Sequence, residues 1–497
     1  MNERNTVSIR GLPTGVAGLD SILDGGFPEY SLNLVAGPPG SGKTTLVHQI
    51  VFANSSRERP TLYFTVLGEP AVKMLRYQQQ FSFFDPAKLA DGSIRFVNLT
   101  SVALENNLDK MLEHVRHETE TVNPRIVVVD SFRTVMPSLA VDESTTRWQS
   151  FVRGLALHLA SIQATAFFVG EYGEQEVPYN QVFTVADGIL WLLQSVHGNS
   201  SVRKIQIMKM RGRAAQPGYH TFRITRGGIH VFPRLPEPFL QKRTLQVDHK
   251  RLSLGVRGMD ELVGGGIPEG DSVLLAGPAG SGKTLLSTSF INEGIRQGEP
   301  GVIVVFEEHP SAYLDRARRL GFDLEGMIRQ NKLRVIYLRP LDLSVDETLE
   351  AIREAVELVG AQRVVIDSLS GFELALAPTF REDFRESMYR LVGALTGVGV
   401  TVLMTVEVAE SLNELRLSPD VISFLTDDII LLRYVEIDGQ LKRMLTVVKM
   451  RRSEHSQDIR SYEITSSGMN LGKVLKGYRG LISGMPTPIG KIRKSAR

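Results

Sequence analysis

Two short stretches of this 497-residue chain carry residue types suited to phosphate chemistry, spaced alike. "GPPGSGKT" at 37–44 and "GPAGSGKT" at 277–284 both satisfy G-x-x-x-x-G-K-[ST]. The glycines let successive backbone N–H groups curl around phosphate, and the N-terminus of the following helix adds a favourable field. Gly37, Pro38, Pro39, Gly40, Ser41, Gly42, Lys43, Thr44 and Thr45 make the first candidate nucleotide loop. Gly277, Gly280, Ser281, Gly282, Lys283, Thr284 and Leu285 make the second. Lys43 and Lys283 are placed to hold the β- and γ-phosphates of ATP, and Thr44 and Thr284 to offer a hydroxyl to Mg²⁺.

A carboxylate is the next requirement. Asp130 ends the apolar run "RIVVVD" and Asp367 ends "RVVID". The C-terminal end of a strand is where open α/β sheets place ligands, so both aspartates suit a Mg²⁺ site. The alternative is a helix N-cap, since Ser131 and Ser368 follow. "VIVVFEEHP" at 302–310 ends a third run in the pair Glu307 and Glu308. A carboxylate there can accept a proton from the group attacking the γ-phosphate. Strand side chains alternate, so one glutamate should face the nucleotide and the other away; Glu307 is the candidate base. The matching first-half stretch, "LYFTVLGEP" at 62–70, has Leu67 and Gly68 in those places and Glu69 one step later. Glu69 should sit too far along the strand to substitute directly, which predicts weak hydrolysis at the first loop.

"KMRGR" at 209–213 and "KMRRS" at 449–453 supply cations. Lys209 with Arg211, and Lys449 with Arg451, are spaced to share one strand face. They could cover phosphate in the same subunit or reach a neighbour's nucleotide as an arginine finger; a basic edge strand is the plainer reading.

These residues need elements to position them, and the chain writes those elements twice. Residues 12–45 match 252–285 without a gap, and Lys43 pairs with Lys283, Lys209 with Lys449, each 240 residues apart. The period fits duplication of a whole domain rather than a solenoid. Each half alternates apolar strand-length runs with helical spacing, which predicts an α/β fold: tandem P-loop domains, each a mostly parallel sheet flanked by helices. "DGILWLLQS" and "RKIQIMKMRG" read as antiparallel additions at one edge. The proline-rich, charged stretch near 232–250 marks the join, giving domains over 1–240 and 241–475 and a loop and tail over 476–497. Beyond residue 467 the weak periodicity suggests an extended or mobile segment.

Composition is that of a globular protein, with 42% apolar and 23% charged residues. The absence of cysteine removes disulfide, thiol and cysteine–zinc chemistry and fits a reducing cytoplasm. No apolar run is long enough to span a bilayer, and "MNERNTVSIR" lacks a signal-peptide core. A net charge of +2 gives no case for nucleic acid, and no basic loop with stacking aromatics stands out. A nucleic-acid motor and a nucleotide-gated scaffold with little turnover are the rival classes.

The duplicated loops, "LPTG…GLD…GGFP" before the first, "FEEHP", the paired "KMR" and "VISFLTDDIILLRYVEIDGQLKRMLTVVKMR" at 421–451 together resemble the KaiC family of clock-associated ATPases and autokinases, over nearly the whole chain. The resemblance implies two RecA-like domains and a homohexameric double ring with ATP at subunit interfaces. It also implies an assembly ring formed by the first half, and Ser/Thr autophosphorylation across interfaces by the second with the glutamate pair as base. In that likeness Ser423 matches the phosphorylated serine, while Phe424 replaces its threonine partner; Ser418 and Thr426 are nearby hydroxyls. The terminal "LISGMPTPI" resembles the family's regulator-binding tail, implying a KaiB-like protein or another signalling partner.

Overall fold

A computed structural model describes residues 9–66, 71–105, 107–135, 143–197, 200–234, 250–338, 343–376, 384–408, 426–466, 468–482 and 484–489. The chain divides into two compact units, residues 1–234 and 235–497. Each unit is built on one nine-stranded sheet.

In the first unit the strand leading to the nucleotide loop, Leu32–Gly37, lies inside the sheet between Thr165–Glu171 and Gly188–His197. Outward from Thr165–Glu171 come Ile126–Asp130, Thr61–Thr65 and Ile94–Asn98. These six strands run parallel. Ser200–Met210, Tyr219–Thr225 and Gly228–Phe232 continue the sheet antiparallel. The second unit repeats the plan: Ser272–Gly277 is flanked by Thr401–Glu407 and Asp428–Ile437, with Arg363–Asp367, Gly301–Val305 and Leu333–Tyr337 beyond. Gln440–Lys449, Arg460–Thr465 and Gly468–Val474 close its antiparallel side.

The continuous apolar runs follow from burial on both faces. Along neighbouring strands, Leu34, Phe64, Val129 and Phe168 join one core, while Val35, Tyr63, Val128 and Phe167 join the core on the opposite face. Side-chain alternation along a strand produces this division.

Two expectations need correcting. Gly188–His197, the "DGILWLLQS" run, is not an antiparallel addition: it pairs parallel with Leu32–Gly37, and the chain reverses only at Ser200–Met210. Beyond residue 467, the described residues are ordered into strands rather than a loose segment. Gly468–Val474 is a strand, Tyr478–Arg479 pairs with Thr487–Pro488, and buried Leu481 packs with Val435, Ile437 and Met444. The Arg433 guanidinium fixes this turn by donating to the Ile482 carbonyl at 2.5 Å.

Candidate functional site

Both nucleotide loops sit where a fully buried strand hands over to a helix, Lys43–Asn54 in one unit and Lys283–Arg296 in the other. Gly42 and Gly282 stand at the helix starts with φ of 100° and 94°. Only glycine takes that conformation without cost, so the loop can fold back and leave its N–H groups facing one point. The lysines lie across the loop mouths. Lys43 Nζ donates to the Pro38 carbonyl at 2.8 Å, and Lys283 Nζ to the Gly277 and Pro278 carbonyls at 2.7 and 2.8 Å. Burial holds both ammonium groups below the ordinary lysine range. Glu171 and Asp130 oppose that shift at Lys43; Glu407, Asp367 and Glu307 oppose it at Lys283.

Asp130 lies beside the first loop. Its Oδ2 accepts from Thr44 Oγ1 at 3.0 Å and from the Tyr63 hydroxyl at 2.8 Å. Burial pushes the Asp130 carboxyl up, while those two hydrogen bonds and Lys43 pull it back. Burial and the neighbouring carboxylate raise the Tyr63 phenol well above its ordinary value. In the second unit Asp367 Oδ1 accepts from Thr405 Oγ1 at 2.6 Å. The loop threonine Thr44 beside Asp130 fits Mg²⁺, a hard cation that takes few protein oxygens and draws the rest from phosphates and water; in the second unit the threonine bonded to Asp367 is Thr405, and Thr284 occupies the loop position matching Thr44. Thr44 with Asp130, and Thr284 with Asp367, would hold it.

The two candidate glutamates diverge. Glu307 turns into the site, where its Oε1 accepts from Ser368 Oγ at 2.5 Å and its charge reaches Lys283. Gly371 makes room for it: a Cβ there would lie 2.7 Å from the Glu307 Cγ and Oε1. Glu308 points to the helix Pro310–Arg319 and takes both terminal nitrogens of Arg316, at 2.9 and 2.5 Å. Leu67, Gly68 and Glu69 lie outside the described residues, as do Ser418, Ser423 and Phe424. Thr426 is described and fully buried, with its carbonyl accepting from Lys449 Nζ at 2.6 Å.

The cationic motifs lie at the other end of the sheet from their own loops. Lys209 pairs with Ile189, which is level with Leu34; Gly37 is three residues further on, roughly 10 Å at the strand rise. Arg211 is further away still, since its N–H donates to the Asp187 carbonyl. Lys209 Nζ donates to the Thr184 carbonyl at 3.1 Å, and Arg211 pairs with Asp187 at 3.0 Å. In the second unit Lys449 is level with Leu274, and Arg451 faces Asp427 at 3.5 Å. Coverage of phosphate within one subunit does not fit this placement.

Sequence reasoning missed Tyr63, Thr405, Glu171 and Glu407. Glu171 and Glu407 end the strands next to each loop strand, paired with Gly37 and Gly277. The signal was present: "FFVGE" and "LMTVE" end apolar runs in acids just as "RIVVVD" and "RVVID" do.

Comparisons with known proteins agree with this geometry. The KaiC ATPase family model matches the chain twice, over residues 12–236 and 252–475. The circadian clock oscillator protein KaiC of Rippkaea orientalis is 30% identical over 98% of this chain and 93% of its own length. Circadian clock oscillator protein KaiC 1 of a Synechocystis species is 29% identical, covering 100% of this chain and 96% of its own. Circadian clock protein KaiC3 of Synechocystis is 29% identical over 98% and 96%.

Proposed function

The chain belongs to the KaiC ATPase family, and from that premise we propose that its two halves divide ATP holding from ATP chemistry. Each loop binds Mg·ATP: Lys43 or Lys283 holds phosphate, and Thr44 with Asp130 or Thr284 with Asp367 holds the ion. When bound there, the ion would screen charge on the phosphates. Glu307 takes the proton from the attacking oxygen, either of water or of a seryl hydroxyl, and is the base of the second half. Ser423, or Ser418, is the phosphoryl acceptor. The first half, with Leu67 where the second has Glu307, turns over slowly and serves mainly assembly.

Subunits form a homohexameric double ring. Lys209 with Arg211, and Lys449 with Arg451, reach a neighbour's phosphates, a role that their distance from their own loops favours. The terminal segment is the docking point for a KaiB-like or other signalling protein.

The observation that carries this reading is the divergence of the glutamates: Glu307 beside Lys283 and Ser368, Glu308 on Arg316. The test is mass spectrometry after incubation with Mg·ATP, comparing wild type with Glu307→Gln and Glu308→Gln. Phosphate on 418–423 in wild type and Glu308→Gln, and none in Glu307→Gln, is expected. An unphosphorylated wild type removes the kinase claim, and ATP turnover unaffected by Glu307→Gln removes the base assignment.

A further inference from the structure

The base of the Lys449–Arg451 strand end is wired differently from its first-half counterpart. In the first unit Lys209 and Arg211 have one buried-side carboxylate, Asp187, whose other oxygen accepts from the Leu32 N–H at 3.1 Å. Asp427 repeats this in the second unit, facing Arg451 and accepting from the Ser272 N–H and Oγ at 3.1 and 2.9 Å. The second half carries three charges at positions uncharged in the first, while Arg213, which donates to the Asp24 and Ile9 carbonyls away from Asp187, is replaced by Ser453. Asp271 stands where the first has Ser31, Asp428 where it has Gly188, and Arg452 where it has Gly212. Asp271 and Asp428 are fully buried, and Arg452 pairs with Asp271 at 3.0 Å.

The charge balance follows. Among these described groups the first half has two cations and one carboxylate, an excess of one positive charge. The second has three of each when all are ionised, and regains the excess only when one carboxylate takes a proton. Asp428 is the one placed to do so. It pairs across the sheet with Val273, among buried strands, and its immediate chain neighbour is Asp427 while Asp271 lies two residues before Val273. Burial and those two carboxylates push its carboxyl up to about 7, against the Arg451 backbone N–H and Lys449. Lys449 in turn is held below the ordinary lysine range by burial and Arg451, with Asp427 and Asp428 opposing.

We propose that Asp428 is a proton-operated control on the Lys449–Arg451 arm: ionised, it neutralises the arm's attraction for a neighbouring subunit's phosphates, and protonated, it restores it. The control rests on the reading of that arm as acting on a neighbour's ATP, and the first half lacks it. Second-site activity therefore rises as pH falls through neutrality.

The experiment measures steady-state ATP hydrolysis by the full chain between pH 6 and 8, with the Glu307→Gln rate subtracted at each pH to isolate the second site. Wild type should run about fivefold faster at pH 6 than at pH 8, the scale of one unit charge several ångström from phosphate. Asp428→Asn should hold the fast rate throughout. Asp428→Gly, which installs the first-half residue, should do the same and serves if the asparagine variant misfolds. A wild-type slope kept in both variants overturns the proposal. Arg451→Ala separates the two layers. Loss of turnover in Arg451→Ala with an unchanged Asp428→Asn slope ends the proton control alone, whereas full turnover in Arg451→Ala ends the arm reading and the control with it.

Discussion

The two halves hold their strand-end aspartates from opposite sides. Asp130 is bonded by Tyr63, on the strand Thr61–Thr65, and by Thr44 from its own loop. Asp367 is bonded by Thr405, on Thr401–Glu407, the neighbour on its other flank. The matching positions carry Ile303 in the second half and Val169 in the first, so each half has one hydroxyl and one apolar side chain, exchanged. The position after the loop-side strand differs as well: Glu307 with Gly371 in the second half, Leu67 with Thr134 in the first. A duplicated fold thus keeps the loop, the lysine and the aspartate fixed, and varies the side chains that aim them. On the proposed reading, Mg·ATP binding would draw on the fixed set and proton transfer on the variable one.

Removing the acid tests the division most severely. Glu307→Gln keeps the shape of the side chain and removes the base, so second-site turnover should fall by about 10²–10⁴-fold. Glu308→Gln breaks only a partly exposed pair with Arg316, worth roughly 0–1 kcal/mol, and should leave turnover within about twofold. Equal losses in the two variants would erase the distinction between the glutamates.

The exchanged hydroxyls give the next largest effect, and it is one of stability. Tyr63→Phe strips a hydrogen bond from a partly buried carboxylate, which should cost about 1–3 kcal/mol of unfolding free energy in the first unit without touching the second. Thr405→Val should do the reverse. Calorimetry that resolves two transitions would show which one moves; a shared shift would mean the units melt together.

Asp428 adds a pH dependence to the same measurement. Its folded pKa lies above the unfolded value of 3.8, so the native state keeps a proton that the unfolded chain releases. Its contribution is therefore full below about pH 4, declines as pH climbs, and levels off above about 7. Asp428→Asn removes the decline, raising the second transition at pH 8 by about 2–4 °C for each kcal/mol recovered. A Tm difference that is the same at pH 5 and pH 8 would contradict the buried charge.

Much of this was legible in the residues. The loops, Asp130, Asp367 and the duplication are local patterns whose geometry is dictated by backbone chemistry, so spelling suffices. The parallel core was legible from runs such as "LNLVAG", because burial on both faces leaves no polar alternation. The direction of Gly188–His197 was not, since an apolar run has no polarity of its own and its partner strand lies about 150 residues away in sequence. Tyr63 and Thr405 were hidden for a related reason. Each acts across a strand pairing, and in its own segment it reads as one more buried β-former. The placement of Lys209 and Arg211 needed the register as well: only the pairing of Lys209 with Ile189 shows them level with the wrong end of the loop strand.

The smallest effect bears most closely on the difference between Leu67 in the first half and Glu307 in the second. Thr134 stands where the second half has Gly371, and its Oγ1 donates to the Val66 carbonyl at 2.9 Å and the Ser131 carbonyl at 2.7 Å. Its side chain therefore occupies the volume that Glu307 uses in the second half. Leu67→Glu alone should raise first-site turnover only slightly, about twofold, because the new carboxylate meets Thr134. Leu67→Glu combined with Thr134→Gly should gain a further few-fold, while Thr134→Gly by itself gains nothing and costs the first unit about 1 kcal/mol through lost hydrogen bonds and added chain freedom. The readout is ATP hydrolysis in a Glu307→Gln background, where the second site is silent. If the single Leu67→Glu variant matches the double, Thr134 yields freely and the first half differs from the second by its acid alone. If neither variant gains, the weak site lacks something besides a base, and the comparison moves from the strand end to the neighbour's arm.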